Sequence, residues 1–298
     1  MSAQQGHTYG GQAVLEGVMI RGQKNMAVAV RRQDGTIALQ TLPLSSFFIG
    51  SLRKIPLVRG IITLAETLTL GMRALSYSAN VGMEAEDEEL SKGSMALMLG
   101  ISMSIAIGLF FVVPVLASRA LEGVLGSDLA SNVAEGVIRL ALFFGYILLI
   151  GRMDDIKRVF MYHGAEHMTV HAQERGDPLE LEYIRKYSTA HPRCGTAFLL
   201  VVMVVSIVAF VFVGRDPFWW LLLSRIILIP LIAAISYEVI RWSGRYSGNP
   251  LVRLITGPSL ALQALTTKEP DDDQIEIAIA AMNGALDADA AVTPAATE

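Results

Sequence analysis

Residues 94–118 read SMALMLGISMSIAIGLFFVVPVLAS, 25 consecutive positions without a charge. A hydrocarbon core of about 30 Å is crossed by about 20 apolar residues in α-helix, so this run is expected to span a bilayer. Ala197–Val213 is likewise uncharged and rich in Val, Leu and Phe. Val133–Ile150 and Phe218 to about Ile240 are apolar but carry one or two charges each. Four crossings are therefore expected, with Pro230 kinking the fourth.

Orientation follows from the basic residues. Arg152, Lys157, Arg158, Arg175, Arg185, Lys186 and Arg193 all fall between the second and third runs, whereas the other two connections offer only Arg119 and Arg215. The positive-inside bias places the 151–196 loop and both termini in the cytosol, with the protein in an inner membrane. Trp219 and Trp220 would then mark the outer interface.

Of 298 residues, 52% are hydrophobic and 17% charged, against about 25% charged in an ordinary soluble domain. The net charge of -4 hides an asymmetry. All 24 Lys and Arg, and 20 of the 28 acids, lie at or before Lys268, so the body is basic and the tail acidic. A basic body suits anionic membrane lipids as partners, and no basic stripe of the kind that binds nucleic acid is visible. The single cysteine, Cys194, rules out an intramolecular disulfide. The polar, glycine-rich segment 1–22 lacks the basic-then-apolar order of a signal peptide.

The chain divides into a cytosolic unit over 1–93, a membrane domain over 94–240 and a C-terminal region over 241–298. In the first unit, Met26–Arg32 and Thr36–Leu42 alternate around Asp34-Gly35, a hairpin signal. Pro56 to about Val81 reads as a helix in which Arg59, Glu66 and Arg73 form one polar stripe; it is expected to lie against the membrane, the alternative being packing on the other spans. An acidic stretch, Glu84–Glu89, closes the unit. Asn249–Leu265, interrupted by Arg253 and Gly257-Pro258, reads as a broken interfacial segment. Asp271–Leu286 reads as a short helix, offering an acidic surface to a protein partner, and the last dozen residues as disordered. The fold class is mainly α, polytopic in a membrane, with a small N-terminal β-hairpin unit.

Four of the five histidines lie between positions 163 and 191. His163-Gly164-Ala165-Glu166-His167 has the H-x-x-E-H spacing. Residues four apart share a helix face, so His163 and His167 can hold one divalent transition metal, with zinc the first expectation. Glu166 is placed as the general base toward a water activated by that metal. His171 lies eight residues from His163, about 12 Å along a helix, too far to share its ion. The remaining ligands are expected from His191-Pro192-Arg193-Cys194, where Cys194 also precedes a helix N-terminus. Four protein ligands would close the site and make it structural; three would leave a catalytic opening. If the second span continued as one helix, His163 would stand about 20 Å beyond the membrane edge. The bland alternative is a solvated helix face.

Arg139 and Arg225 fall a few residues inside their spans and are expected to snorkel outward; the alternative is an anionic headgroup or substrate between the spans. The segment GGQAVLEGVMIRG (10–22) is dense in glycine but is no phosphate loop, lacking the Gly-Lys-Ser/Thr ending. Glu16 and Arg21 within it are candidates for lining a site, against a tight turn in which glycine supplies positive φ.

Together GGQAVLEGVMIRG, YHGAEH (162–167), HPRCGTAF (191–198) and LTTKEPDDDQIEIAI (265–279) resemble the YqhQ family of bacterial membrane proteins, from about Tyr9 to Met282. The resemblance implies a membrane protein and carries the family's expectation of a metal-dependent enzyme, which rests on these same His, Glu and Cys residues. Met168 stands where the family pattern is basic, at no proposed ligand. The leading expectation is a metal-dependent hydrolase at the cytosolic membrane surface. Its rival is a non-enzymatic assembly or scaffold protein with a structural metal site. A transporter comes third.

Overall fold

In the computed structural model, which describes residues 9–83, 92–191, 194–246 and 249–292, the N-terminal segment is a four-stranded antiparallel meander. The strands are β1 (Gly10–Val14), β2 (Gly17–Arg21), β3 (Asn25–Arg31) and β4 (Ile37–Pro43), neighbours in that order. The hairpin expected at Asp34-Gly35 is β3–β4: the Asp34 carboxylate accepts the Thr36 N–H at 2.9 Å, and Gly35 takes φ +85°. The glycine-rich segment forms a second hairpin, β1–β2, pairing Val14 with Gly17 around Leu15-Glu16. There the positive φ falls on Glu16 (+50°), not on a glycine. That conformation costs roughly 1–2 kcal/mol for a residue with a Cβ. In that conformation the Glu16 carboxylate is held by Arg158 and the Tyr162 hydroxyl.

β2 and β3 are buried on both faces because helices cover both. Alternate side chains point opposite ways along a strand. Met19, Met26, Val28 and Val30 meet Leu70, Ala74 and Val81 of α1 (Val58–Met83). Val18, Ile20, Ala27 and Ala29 face the other way. They pack on two helices, α5 (Asp154–Arg175) and α10 (Asp272–Val292). The C-terminal tail is therefore a layer of the N-terminal unit, and its helix runs to Val292, into the dozen residues expected to be disordered. Ile275, Ala278, Met282 and Ala285 place its apolar face on the sheet.

Of the two placements open to helix α1, packing on another apolar segment is the one observed: it runs along the fourth. Two of the three residues of its polar stripe are used internally, while Arg73 is exposed. Arg59 pairs with Glu238, and buried Glu66 takes Arg21 at 2.9 Å and Arg53 at 2.7 Å. The acidic Glu84–Glu89 stretch lies outside the described residues.

The chain has the helices of a membrane protein. The first apolar run is α2 (Lys92–Ile107), a π-helical turn at Gly108–Val112 and α3 (Val113–Ala120). Ala96–Ala120 within it and α4 (Asp128–Ile150) are each long and apolar enough to cross a membrane. The third run, α6 (Gly195–Val211), reaches only 17 helical residues, shorter than both. The fourth is a pair, α7 (Phe218–Ile227) and α8 (Ile229–Arg245), bent by 43° beside Pro230, which makes a third span if the pair crosses as one. The expected broken segment is instead one helix, α9 (Pro250–Thr266), with Pro258 inside it. It packs on α6 and α4, burying Leu262 against Phe143 and Leu200.

Arg139 and Arg225 do not snorkel. Glu135 of α4 accepts Arg139 at 2.8 Å, Arg225 at 2.8 Å and Arg215 at 3.0 Å. Asn132 shares Arg215 and Arg225, and the π-turn carbonyl of Phe110 accepts from Arg139 Nε at 2.9 Å. Arg215, from the α6–α7 connection, is 1% exposed. A charge in an apolar span is costly unless paired, and here one carboxylate gathers three guanidinium groups.

The end of α10 is fixed by charge. The Asp289 carboxylate accepts the backbone N–H groups of Gln23, Lys24 and Asn25, and the Tyr9 hydroxyl at 3.1 Å. Burial by itself would raise the Asp289 pKa, but these donors outweigh it and hold the carboxyl below the ordinary aspartate range. A depressed folded-state pKa means the contribution is present above the unfolded value and lost as pH falls through the lowered one. Asp289→Ala is expected to cost about 1.5–3 kcal/mol, the scale of hydrogen bonds to a charged group. It should speed amide exchange at Gln23–Asn25 near neutral pH and flatten the acid limb of the stability profile. Unchanged exchange would contradict this role.

Candidate metal centre

Helix α5 carries His163, Glu166, His167, His171 and Glu174, and ends at Gly176 in the left-handed conformation expected of a helix stop. The helix does not continue α4: residues 151–153 break it, so the site is not carried 20 Å outward. Instead α5 lies across the start of α6 and the end of α9, and the histidines meet both.

Two chain segments orient the rings. A carbonyl can only accept, so each ring nitrogen bonded to one carries the proton. His163 Nδ1 donates to Thr266 O at 2.8 Å, leaving Nε2 toward Cys194 Sγ at 3.2 Å. His167 Nδ1 donates to Thr189 O at 2.6 Å, leaving Nε2 as its ligand atom. His171 Nε2 donates to Ala190 O at 2.9 Å, leaving Nδ1. Metal-ligating histidines characteristically have the second nitrogen tied in this way.

The donors sort into two groups. His163, His167 and Cys194 bring one ligand atom each to within 4.8 Å of one another. His171, Glu174 and His191 do the same. His191, expected with the first group, thus falls with the second, its Nε2 3.4 Å from a Glu174 oxygen. Gln263 of α9 decides this, bonding the His191 backbone through both N–H (2.9 Å) and C=O (2.8 Å). Cys194 is the N-cap of α6, its sulfur accepting the Thr196 N–H at 3.4 Å. Two imidazoles and a cysteine sulfur are a zinc-type donor set, so the residues fit the metal expected of them.

Glu166 is buried between this group and β1. Its Oε2 lies 3.5 Å from His167 Nε2, and burial pushes its pKa up. Gly11 makes the approach of β1 feasible: a Cβ there would come within 2.8 Å of Glu166 Cγ and 2.4 Å of Met19 O. Glu16 and Arg21 go elsewhere. Glu16, its carboxyl held below the usual range by Arg158, lines an open cavity of about 720 Å³ with Arg31, Arg158 and Met98. Arg21 is committed to Glu66. Sequence reasoning missed Thr189, Gln263 and Thr266 because their roles are long-range backbone contacts. Glu174 was visible as i+3 from His171.

Residues 55–288 match the model of a family described as "Protein of unknown function (DUF1385)". The chain belongs to that family. It is 34% identical to the uncharacterized protein YqhQ of Bacillus subtilis (strain 168) over 292 residues, covering 93% of this chain and 92% of that protein. No solved structure matches it.

In this DUF1385 protein, Gly164 between the two first histidines is where the chain leaving α9 crosses α5. A Cβ there would sit 2.1 Å from Lys268 O, a backbone atom that cannot swing aside. Lys268 N–H donates to Phe160 O at 2.9 Å in the same crossing. Gly164→Ala is expected to destabilise the protein by about 1–3 kcal/mol or more, the range for overpacking. It should also weaken metal binding, because Thr266 O no longer orients His163. Zinc affinity equal to wild type in a folded Gly164→Ala protein would contradict that coupling.

Proposed function

We propose that the protein is a metal-dependent hydrolase of the bacterial inner membrane, multi-pass, with both termini and the metal centre on the cytosolic face. The observation that carries this is the three-donor set His163, His167 and Cys194, two rings oriented by backbone carbonyls, with the buried Glu166 carboxyl beside it. The basic residues of the α4–α6 connection support the cytosolic placement. Four crossings follow if α6 spans as a short third helix and α7–α8 as a bent fourth.

Zinc, when bound, supplies Lewis acidity that makes water a nucleophile at neutral pH. His163 and His167 then present Nε2, and Cys194 its sulfur, from elements locked to one another. Glu166, its carboxylate beside His167, would take the proton of the attacking water and return it to the leaving group. The sheet wall at Gly11 excludes bulk water from that carboxyl.

The deep burial of His167 (2% exposed) and Cys194 (6%) favours a second reading, in which the metal is structural and the protein is a membrane scaffold. The apolar face of α10 is already taken by the sheet, so a partner would meet its exposed acids.

Zinc-loaded protein in detergent should hydrolyse at least one of three probes: a fluorogenic peptide, a p-nitrophenyl ester or bis-p-nitrophenyl phosphate. Glu166→Gln should lower that rate by about 10²–10⁴-fold with zinc content unchanged. Loss of zinc along with the rate would contradict the general-base assignment. No zinc-dependent turnover, with thermal stability that rises on zinc loading, would favour the scaffold.

A further inference from the structure

We propose that His171, Glu174 and His191 form a second metal site beside the first, so that the four histidines build a two-ion centre. This deepens the reading above and rests on it only for the first ion.

Three observations converge. First, His171 and Glu174, three apart on α5, share a face, and His191 reaches that face from the α5–α6 connection. One donor atom from each falls within 4.8 Å of the others. Second, the donors are pre-positioned. The His171 ring is held on one edge by Ala190 O and stacked on Tyr187 at 5.9 Å and 19°. The His191 backbone is clamped by the buried Gln263 amide. Side chains that merely cover a surface do not need such restraint. Third, the two groups are contiguous. The His191 ring stands 4.5 Å from that of His171 and 5.6 Å from that of His167.

The donor chemistry differs between the groups. The first has a cysteine sulfur and two imidazoles; the second has two imidazoles and a carboxylate. Thiolate selects softer ions such as zinc, whereas imidazole with carboxylate accepts zinc, iron or manganese. Neighbouring ions can clamp the attacking and leaving oxygens of a displacement, which one ion cannot do. The second group is also nearer solvent, with the Glu174 side chain 24% exposed, as suits an ion that meets substrate.

The test is cobalt(II) titration of the full-length, metal-free protein in detergent, with bound cobalt counted by elemental mass spectrometry. Thiolate-to-cobalt absorption reports the Cys194 site alone. Wild type is expected to bind two cobalt per chain, with that absorption saturating at one. Glu174→Gln and His171→Asn should each bind one and keep the absorption. Cys194→Ser should lose the absorption and keep one. Circular dichroism checks that each variant folds; Glu174→Gln, partly exposed, is the variant least exposed to that risk. One cobalt in wild type, unchanged by Glu174→Gln, would overturn the second site and leave the first standing. No cobalt in wild type would overturn both.

Discussion

The 266–268 strap crossing α5 at Gly164 is the contact on which the arrangement depends. It needs a residue without a Cβ, since any other would collide with Lys268 O. From that crossing two consequences follow. Upstream, Thr266 O orients His163 and Gln263 holds His191, so α9 sets the geometry of both donor groups. Downstream, the chain is aimed so that α10 lands on the sheet beside α5, where Asp289 gathers the β2–β3 turn. The apolar helical bundle, the histidine-bearing helix α5 and the N-terminal sheet are thereby tied through one close approach.

A second constraint operates inside the helical bundle. Glu135 draws Arg139 from its own helix, Arg215 from a connection and Arg225 from α7. Each of these groups alone would be costly in an apolar span, and removing one partner of a buried pair typically costs about 3–5 kcal/mol. The cluster therefore specifies which helices meet. It also explains the placement of Arg215, which the sequence assigns to a connection and the structure buries.

What could be read from the sequence was what is local. The H-x-x-E-H row follows from helical periodicity, the β3–β4 hairpin from Asp34-Gly35, the long apolar helices from composition and the bend at Pro230 from its missing N–H. The first hairpin was legible only as a tight turn, offered as an alternative with glycine at positive φ; the residue that takes it is Glu16, outside the usual Asn-Gly chemistry. The sorting of His191 with His171 was hidden because it is set by Gln263, 72 positions away. The docking of α10 was hidden for the same reason: its apolar stripe was visible, its small-residue partner face on β3 was not.

The central claim is that the His163, His167 and Cys194 side chains hold one ion. X-ray absorption at the zinc edge, on full-length protein saturated with zinc so that both donor groups are filled, is the direct test. The account requires one sulfur per chain at about 2.3 Å and two imidazole nitrogens per zinc at about 2.0–2.1 Å, with the sulfur lost in Cys194→Ser. A shell of nitrogen and oxygen alone in the wild type would contradict it.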